Sequence, residues 1–496
     1  MNIRAILGSG GVLLRRVIFL TATLVGLTIA LTAPLSSELN AVAVPFVLAI
    51  ATALFPLFWN EVADPFELAS YNGVYTGLGL VSSLVAIVDA GKIDFKYLPG
   101  LSPRSKEELA AVVVWAYVVA NTSYLVGYYL PRKSTAAPRW LPRVHGYNWS
   151  TSRLLIVTLV CMAVAIPVYA FFQNQLGAEL TDITQMQAAK AVWRDDQSRS
   201  WILRGIMLGL VPTMFMIALA SRERRNLPLL ILAAIALVEG ILIVRTGQRS
   251  LTVNFFVSCA CIFHYIRRRL PVMLLIVAGF FALATSNVLL DYRVSSDDRT
   301  YTPISAQRFE VNRVFSEHEQ DRQRLSTMAV VMDAFPEKQE FLLGESWLAI
   351  IAMPIPRWLW PEKVSHFEWR DTLIMVNLAQ ASIPTPFHGV LYANFSWFGV
   401  VLGSLLWGRF QRRVYDWLLA NPKDPSVVVL YANAIFVTAP ILLPLLYLTQ
   451  FLLPMYLFIL FMGMRNTAFS PRASAASILA KLRANAALKL QGSPGK

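Results

Sequence analysis

Arginines in awkward places are the first residues in this chain whose types and spacing could do chemistry. Arg245-Thr246-Gly247-Gln248-Arg249-Ser250 is a very short polar joint between two apolar runs. A guanidinium presents a planar fork of donors that matches phosphate oxygens. Gly247 permits a tight turn that could aim backbone amides the same way. One reading is a diphosphate clamp; the other is a pair of interface arginines that snorkel to water. A second cationic pair, Arg357 and Lys363, stands in Pro354-Ile355-Pro356-Arg357-Trp358-Leu359-Trp360-Pro361-Glu362-Lys363. Prolines stiffen that segment and tryptophans suit it to the headgroup layer. It is either a rigid lip over a substrate headgroup or an interfacial turn. Arg293 is a third cation for the same face, or a helix-end anchor.

Acid–base chemistry needs a side chain within hydrogen-bond reach of the proton it moves, commonly His or Glu. His318, His366, Glu368, Asp371 and His388 are available. His388 is the sharpest candidate, because it sits where the chain re-enters apolar sequence, although a lone His there also suits a structural role. His318 lies in a solvated charge run, Glu317 to Arg324. Glu239, inside an apolar run, could pair with an arginine or serve in proton chemistry. There is no Walker loop, dinucleotide fingerprint or metalloprotease helix. No Asp-x-Asp stands on a cytoplasmic loop, which leaves a metal-dependent nucleotide-sugar transferase unsupported. No cofactor and no metal are expected. Cys161, Cys259 and Cys261 lie in apolar runs and read as small packing residues.

The elements that must position these groups are membrane helices. Hydrophobic residues make up 56% of the 496 residues, charged residues 15%, and mean hydropathy is +0.52. A soluble domain carries about 25% charged residues. The fold class is therefore an all-α polytopic membrane protein. A helix crosses the hydrocarbon layer in about 20 apolar residues. Twelve spans are predicted: 17–33, 41–58, 70–88, 109–130, 154–172, 202–220, 228–244, 251–265, 271–290, 388–407, 426–444 and 447–464. The organisation is 1–290 with nine helices, 291–387 as one large loop with short interfacial helices, 388–464 with three helices, and 465–496 as a basic tail. Gly73-x-x-x-Gly77 and Gly399-x-x-x-Gly403 read as helix-packing notches. Arg15-Arg16 ahead of the first run reads as an anchor rather than an export signal.

The net charge of +14 sits mainly in short joints and the tail, which points to membrane topology and anionic lipid rather than nucleic acid. Arg222, Arg224 and Arg225, then Arg267 to Arg269, then Arg409, Arg412 and Arg413 place both termini in the cytoplasm and the long loop outside. In a bacterium that means the inner membrane with a periplasmic loop. Two joints are anomalous. Asn60–Glu67 is acidic where a basic joint is expected, and 91–108 carries four cations on the outside.

Three pieces of the chain resemble the oligosaccharide repeat-unit polymerase family, the Wzy-type O-antigen polymerases. They are Thr246-Gly247-Gln248-Arg249-Ser250, Ile355-Pro356-Arg357-Trp358-Leu359-Trp360-Pro361-Glu362-Lys363, and Gly389-Val390-Leu391-Tyr392-Ala393-Asn394-Phe395. Two departures stand out. The family often has an acidic residue after the first glycine and a glycine after Asn-Phe, where this chain has Val390 and Ser396. The resemblance implies a metal-independent, GT-C-like glycosyltransferase. It would move a glycan from undecaprenyl diphosphate to an incoming lipid-linked repeat unit. Arg245 and Arg249 are assigned to the diphosphate, with Arg293 near the same face. Arg357 and Lys363 are assigned to diphosphate or acidic sugars, and His388 or Glu368 to the base. Expected partners are the lipid-linked oligosaccharide, membrane lipid, a chain-length regulator and a flippase. An O-antigen ligase shares the donor and the layout, and a lipid-linked oligosaccharide flippase is the alternative of a different class.

Overall fold

A computed structural model describes residues 3–32, 37–60, 64–90, 93, 105–131, 151–176, 210–223, 238, 249–270, 319–337, 339–345, 360, 386–422 and 424–438. Among the described residues there is helix and no strand. The helices are α1 (Ile3–Thr32), α2 (Ser37–Trp59), α3 (Leu68–Ala90), α4 (Lys106–Tyr129), α5 (Thr151–Leu176), α6 (Leu210–Glu223), α7 (Arg249–Ile266), α8 (Glu319–Ala334), α9 (Phe387–Ala420) and α10 (Pro425–Thr438). Five are long and apolar enough to cross a membrane: Val12–Thr32, Leu39–Trp59, Lys106–Tyr129, Leu154–Phe171 and Phe387–Ala420. The predicted spans at 271–290 and 447–464 and most of that at 228–244 lie outside the described residues.

The distribution of side chains is that of a protein in lipid. Leu14, Leu24 and Ile29 of α1 and Ile156, Val160 and Ile166 of α5 are exposed, whereas Ser70, Asn72, Ser82, Thr158 and Gln411 are buried. In water the apolar flanks would be unstable; in a bilayer they face acyl chains, while polar groups such as Thr158 and Gln411 find partners inside.

Local chemistry sets the helix ends. Ser105 caps α4 through a capping box, its hydroxyl accepting from the Glu108 amide at 3.2 Å while the Glu108 carboxylate accepts from the Ser105 amide. Asp424 accepts from the Ser426 amide at 2.9 Å and is followed by Pro425, a residue suited to a first helical position. At the C-terminal end of α2, Arg15 donates to the Asn60 carbonyl at 3.1 Å and Arg16 to the Trp59 carbonyl at 2.8 Å. The arginine pair thus anchors α1 by covering carbonyls that α2 leaves open.

Two apolar cores stack along the bundle. The lower one joins α6, α7 and α10 to the start of α3 and the C-terminal half of α9. The upper one joins α2, α3 and α4 to α8 and the start of α9. Residues 325–335 of the long loop are buried throughout. Helix α8 is therefore embedded in the bundle against α3, α4 and α9, not laid on its face. One flank of an interfacial helix stays in contact with headgroups and water; here Ser326, Thr327 and Asp333 are buried along with Met328, Val331 and Met332.

The tenth predicted span, 388–407, is not one crossing. Phe395 (φ −142°, ψ 23°) and Ser396 (φ 57°, ψ −152°) break α9, and the chain doubles back there. The rings of Phe387 and Trp407 are 5.2 Å apart, although twenty residues along a straight helix span about 30 Å. A Cβ on Gly399 would lie 2.3 Å from the Leu391 carbonyl oxygen, and one on Gly403 2.4 Å from a Leu391 methyl. Phe387–Asn394 is thus a half-helix, antiparallel to the long helix that follows it. Its C-terminal carbonyls are met by the strap 339–345. The Leu342 amide donates to Ala393 O at 3.0 Å, Leu343 to Asn394 O at 3.1 Å, and Gly344 to the Asn394 side chain at 3.0 Å.

Ser396 occupies a backbone region that only glycine enters without strain, at a position where the resembled family often has glycine. Ser396→Gly is expected to stabilise the protein by about 1 kcal/mol, relief of strain outweighing the added freedom of the unfolded chain. A melting curve in detergent checks this; an unchanged or lower midpoint would argue against strain at the turn.

Candidate functional site

The half-helix starts deep in the bundle. It runs from Phe387, beside Trp407, up to Asn394 at the strap, so its N-terminus points inward. There it meets a cavity of about 50 Å³, lined among others by Asn72 and Thr76 of α3, Asn121 and Tyr124 of α4, and His388 and Ser404 of α9. That is room for a few waters or one small polar group. Nonhelical backbone at such depth is tolerated where it is buried in protein or lines a cavity.

Three features give the cavity its character. The Gly389 and Val390 amides bond back to Pro386 O at 2.8 and 3.2 Å, and Pro386, the cap residue, supplies no side-chain acceptor to the first-turn amides. These amides carry the positive end of the half-helix dipole. His388 is 6% exposed, its ring edge-on to Tyr117 at 4.0 Å, and its Nε2 has no hydrogen-bond partner. Across the cavity Asn72, 7% exposed, leaves its Oδ1 without a partner. The Asn72 orientation is fixed, because its Nδ2 donates to Gln411 Oε1 at 2.6 Å and the Tyr124 hydroxyl donates to the same oxygen. Gln411 is fully buried, so this knot joins α3, α4 and α9 below the cavity.

A second polar cluster closes the lower end of the bundle. Asp64 and Glu67, in the joint between α2 and α3, are both buried. The Tyr265 and Tyr415 hydroxyls donate to Asp64 Oδ2 at 2.8 and 2.9 Å, and the Phe66 amide to Oδ1 at 3.0 Å. The Tyr128 hydroxyl donates to Glu67 Oε1 at 2.9 Å, Arg412 reaches the same oxygen at 3.3 Å, and Asn60 Nδ2 donates to Oε2 at 2.6 Å. His264 accepts from the Leu270 amide at Nδ1, which puts the imidazole proton on Nε2, 3.6 Å from Asp64 Oδ1. Burial pushes the Glu67 carboxyl up to about 7, outweighing its contacts with Tyr128 and Arg412. Among the described residues no three His, Cys, Asp or Glu gather as metal ligands.

Of the residues singled out from sequence, the structure describes His388 and the backbone of Arg249. His388 is buried in the bundle beside Tyr117. Arg249 opens α7, whose other end reaches Asp64 through His264, so Arg249 starts the helix toward the strap end. Arg245, Arg293, Arg357, Lys363 and Glu368 lie outside the described residues. The sequence reading placed the ionisable groups on the outer face. It missed the lower cluster, although the acidic joint 60–67 was its visible signal. It also missed Asn72 and Gln411, two buried amides without a distinguishing sequence pattern.

The fold and cavity define a polytopic helical membrane protein with a doubled-back half-helix that begins at a partly open, mostly apolar cavity holding a few polar groups. No family model, curated protein or solved structure matches the chain.

Proposed function

We propose that this protein is a membrane glycosyltransferase that polymerises lipid-linked oligosaccharide repeat units at the periplasmic face of a bacterial inner membrane. The observation that carries the reading is the half-helix. The stretch Gly389 to Phe395, which carries part of the likeness to the polymerase family, belongs to a half-helix and its turn, and the first turn, with His388, lines a cavity. Catalysis without a metal needs fixed donors where negative charge develops on the departing diphosphate. Helix amides and arginines supply them. In this reading Arg245 and Arg249 hold the diphosphate, with Arg293 beside them. Arg357 and Lys363 hold diphosphate or acidic sugar, and Glu368 or His388 takes the proton of the acceptor hydroxyl.

A transporter is the second reading, favoured by one observation. Discontinuous helices whose N-termini face anionic groups near mid-membrane are a recurring way to build a transport site. The glycan profile of cells lacking the gene separates the readings. For a polymerase, the ladder collapses to single repeats on lipid A-core. Wild type restores it, while Arg249→Ala and His388→Gln, present in the membrane at normal levels, lower polymer by about 10². Loss of capped core with polymer still accumulating on undecaprenyl diphosphate means a ligase. An unchanged ladder removes both and leaves transport.

A further inference from the structure

We infer that the half-helix cavity is a binding site for a phosphate group that carries a proton. The inference deepens the polymerase reading and rests on it only for the identity of the lipid. The eight-residue half-helix begins at the cavity, where Phe387 and His388 are lining residues, and its cap residue Pro386 offers the first-turn amides no side-chain acceptor. His388 and Asn72 both line the cavity, and His388 Nε2 and Asn72 Oδ1 are buried and without partners. The amides can only donate, and Asn72 Oδ1 can only accept. The ligand that satisfies them together must offer acceptor oxygens on one side and an O–H on the other. A monoprotonated or diprotonated phosphate does so. Its unprotonated oxygens take the amides and the Nε2–H tautomer of His388, and its P–OH donates to Asn72 Oδ1. Sulfate, fully ionised near neutrality, has no proton for Asn72 and would set an oxyanion against the amide oxygen.

The knot below the cavity makes the selectivity rigid. Gln411 accepts from both Asn72 and Tyr124, so turning the Asn72 amide nitrogen into the cavity would break its bond to Gln411 and set the Asn72 oxygen against Gln411 Oε1. Among the lining residues there is neither a carboxylate nor a cation, which suits a group of low charge over a fully ionised one. In the proposed reaction, the departing lipid diphosphate ends in a phosphate of this kind. His388 is then a phosphate ligand, and Glu368 is left as the base.

The test uses the purified full chain in a neutral detergent near pH 6.5, with inorganic phosphate and sulfate as probes and the ¹⁵N resonances of labelled histidine as the readout. The His388 signal is identified by its loss in His388→Gln. Phosphate is expected to move that signal saturably, with sulfate at least about tenfold weaker. Asn72→Leu, kept only if it elutes as the wild type does, should erase the difference between the two anions. A short-chain phosphatidic acid then separates the sources. Displacement of phosphate at far lower concentration points to a lipid phosphate, and no displacement to free phosphate; either supports the site. Absence of a His388 response, or equal responses to phosphate and sulfate, overturns it. Because no glycan is involved, failure of the polymerase reading leaves these outcomes interpretable by themselves.

Discussion

Gly127→Ala is expected to abolish the folded protein in the membrane. Helices α4 and α9 cross backbone to backbone at Gly127 and Gly408. A Cβ on Gly127 would lie 1.9 Å from the Leu405 carbonyl oxygen and 2.9 Å from its Cα, and one on Gly408 would lie 2.1 Å from the Tyr124 carbonyl oxygen. The obstructing atoms are main chain, so no rotamer change relieves them and the two helices must move apart. Overpacking that side chains can absorb costs about 1–3 kcal/mol. Here the separation would also stretch the Tyr124–Gln411 and Arg412–Glu67 contacts, which join the same two helices or tie α9 to the joint before α3. The expected loss is therefore about 4–5 kcal/mol, comparable with the whole stability of many domains. Gly26→Ala is the contrast, since its Cβ would meet only the Val47 side chain at 3.3 Å. Size-exclusion chromatography of fluorescent fusions reads both. Gly26→Ala should elute as the wild type does, and Gly127→Ala should aggregate or vanish. A normal Gly127→Ala peak would refute the crossing.

The same crossing shows where sequence reading succeeds and where it stops. Apolar run length locates α1, α2, α4 and α5 well, because the bilayer imposes it on each segment separately. The Gly73 and Gly399 notches are legible too, since two glycines four residues apart mark a face where backbone can approach. Gly127 and Gly408 belong to no such pair, and only the packed structure shows what each meets. The doubled-back α9 is invisible to hydropathy for a related reason. Residues 387–407 are apolar whether they cross once or fold over, and the break is recorded only in the backbone of Phe395 and Ser396. A serine where relatives of the resembled family often have glycine is a faint signal of that turn. The site divides in the same way. His388 stands out by residue type, whereas the Asn72 Oδ1 opposite it acquires meaning only because Gln411 and Tyr124 fix its amide. The acidic joint at Asp64 and Glu67 ran against the charge pattern for a physical reason. Its carboxyl groups are buried and met by Arg412, His264 and tyrosines from α4, α7 and α9, partners hundreds of residues away in some cases.

That joint should make stability fall as pH rises. Glu67 binds its proton more tightly in the folded protein, up to about 7 against 4.5 for the free side chain, chiefly because burial penalises the carboxylate. Between those two values the folded state holds a proton that the unfolded state has released. Its contribution is therefore complete below about 4.5 and is lost as pH climbs through about 7. The difference between pH 5 and pH 8 amounts to about 2–3 kcal/mol. Oε1 already accepts from Tyr128 and Arg412, so the proton belongs on Oε2, and the Asn60 amide must turn to present its oxygen there. Arg412 remains satisfied when Glu67 is neutral, because its Nε also reaches Asp416 Oδ1 at 3.1 Å and its guanidinium lies over Tyr128 and Tyr415. Glu67→Gln keeps the shape and fixes the neutral form. Its advantage over wild type should be small at pH 5 and grow to about 2–3 kcal/mol at pH 8, read as melting midpoints from tryptophan fluorescence. Every other group is common to both proteins, so the difference between the two curves isolates Glu67. A constant offset across that pH range would show that Glu67 is held as a carboxylate by Arg412, and that burial is the weaker influence at this end of the bundle.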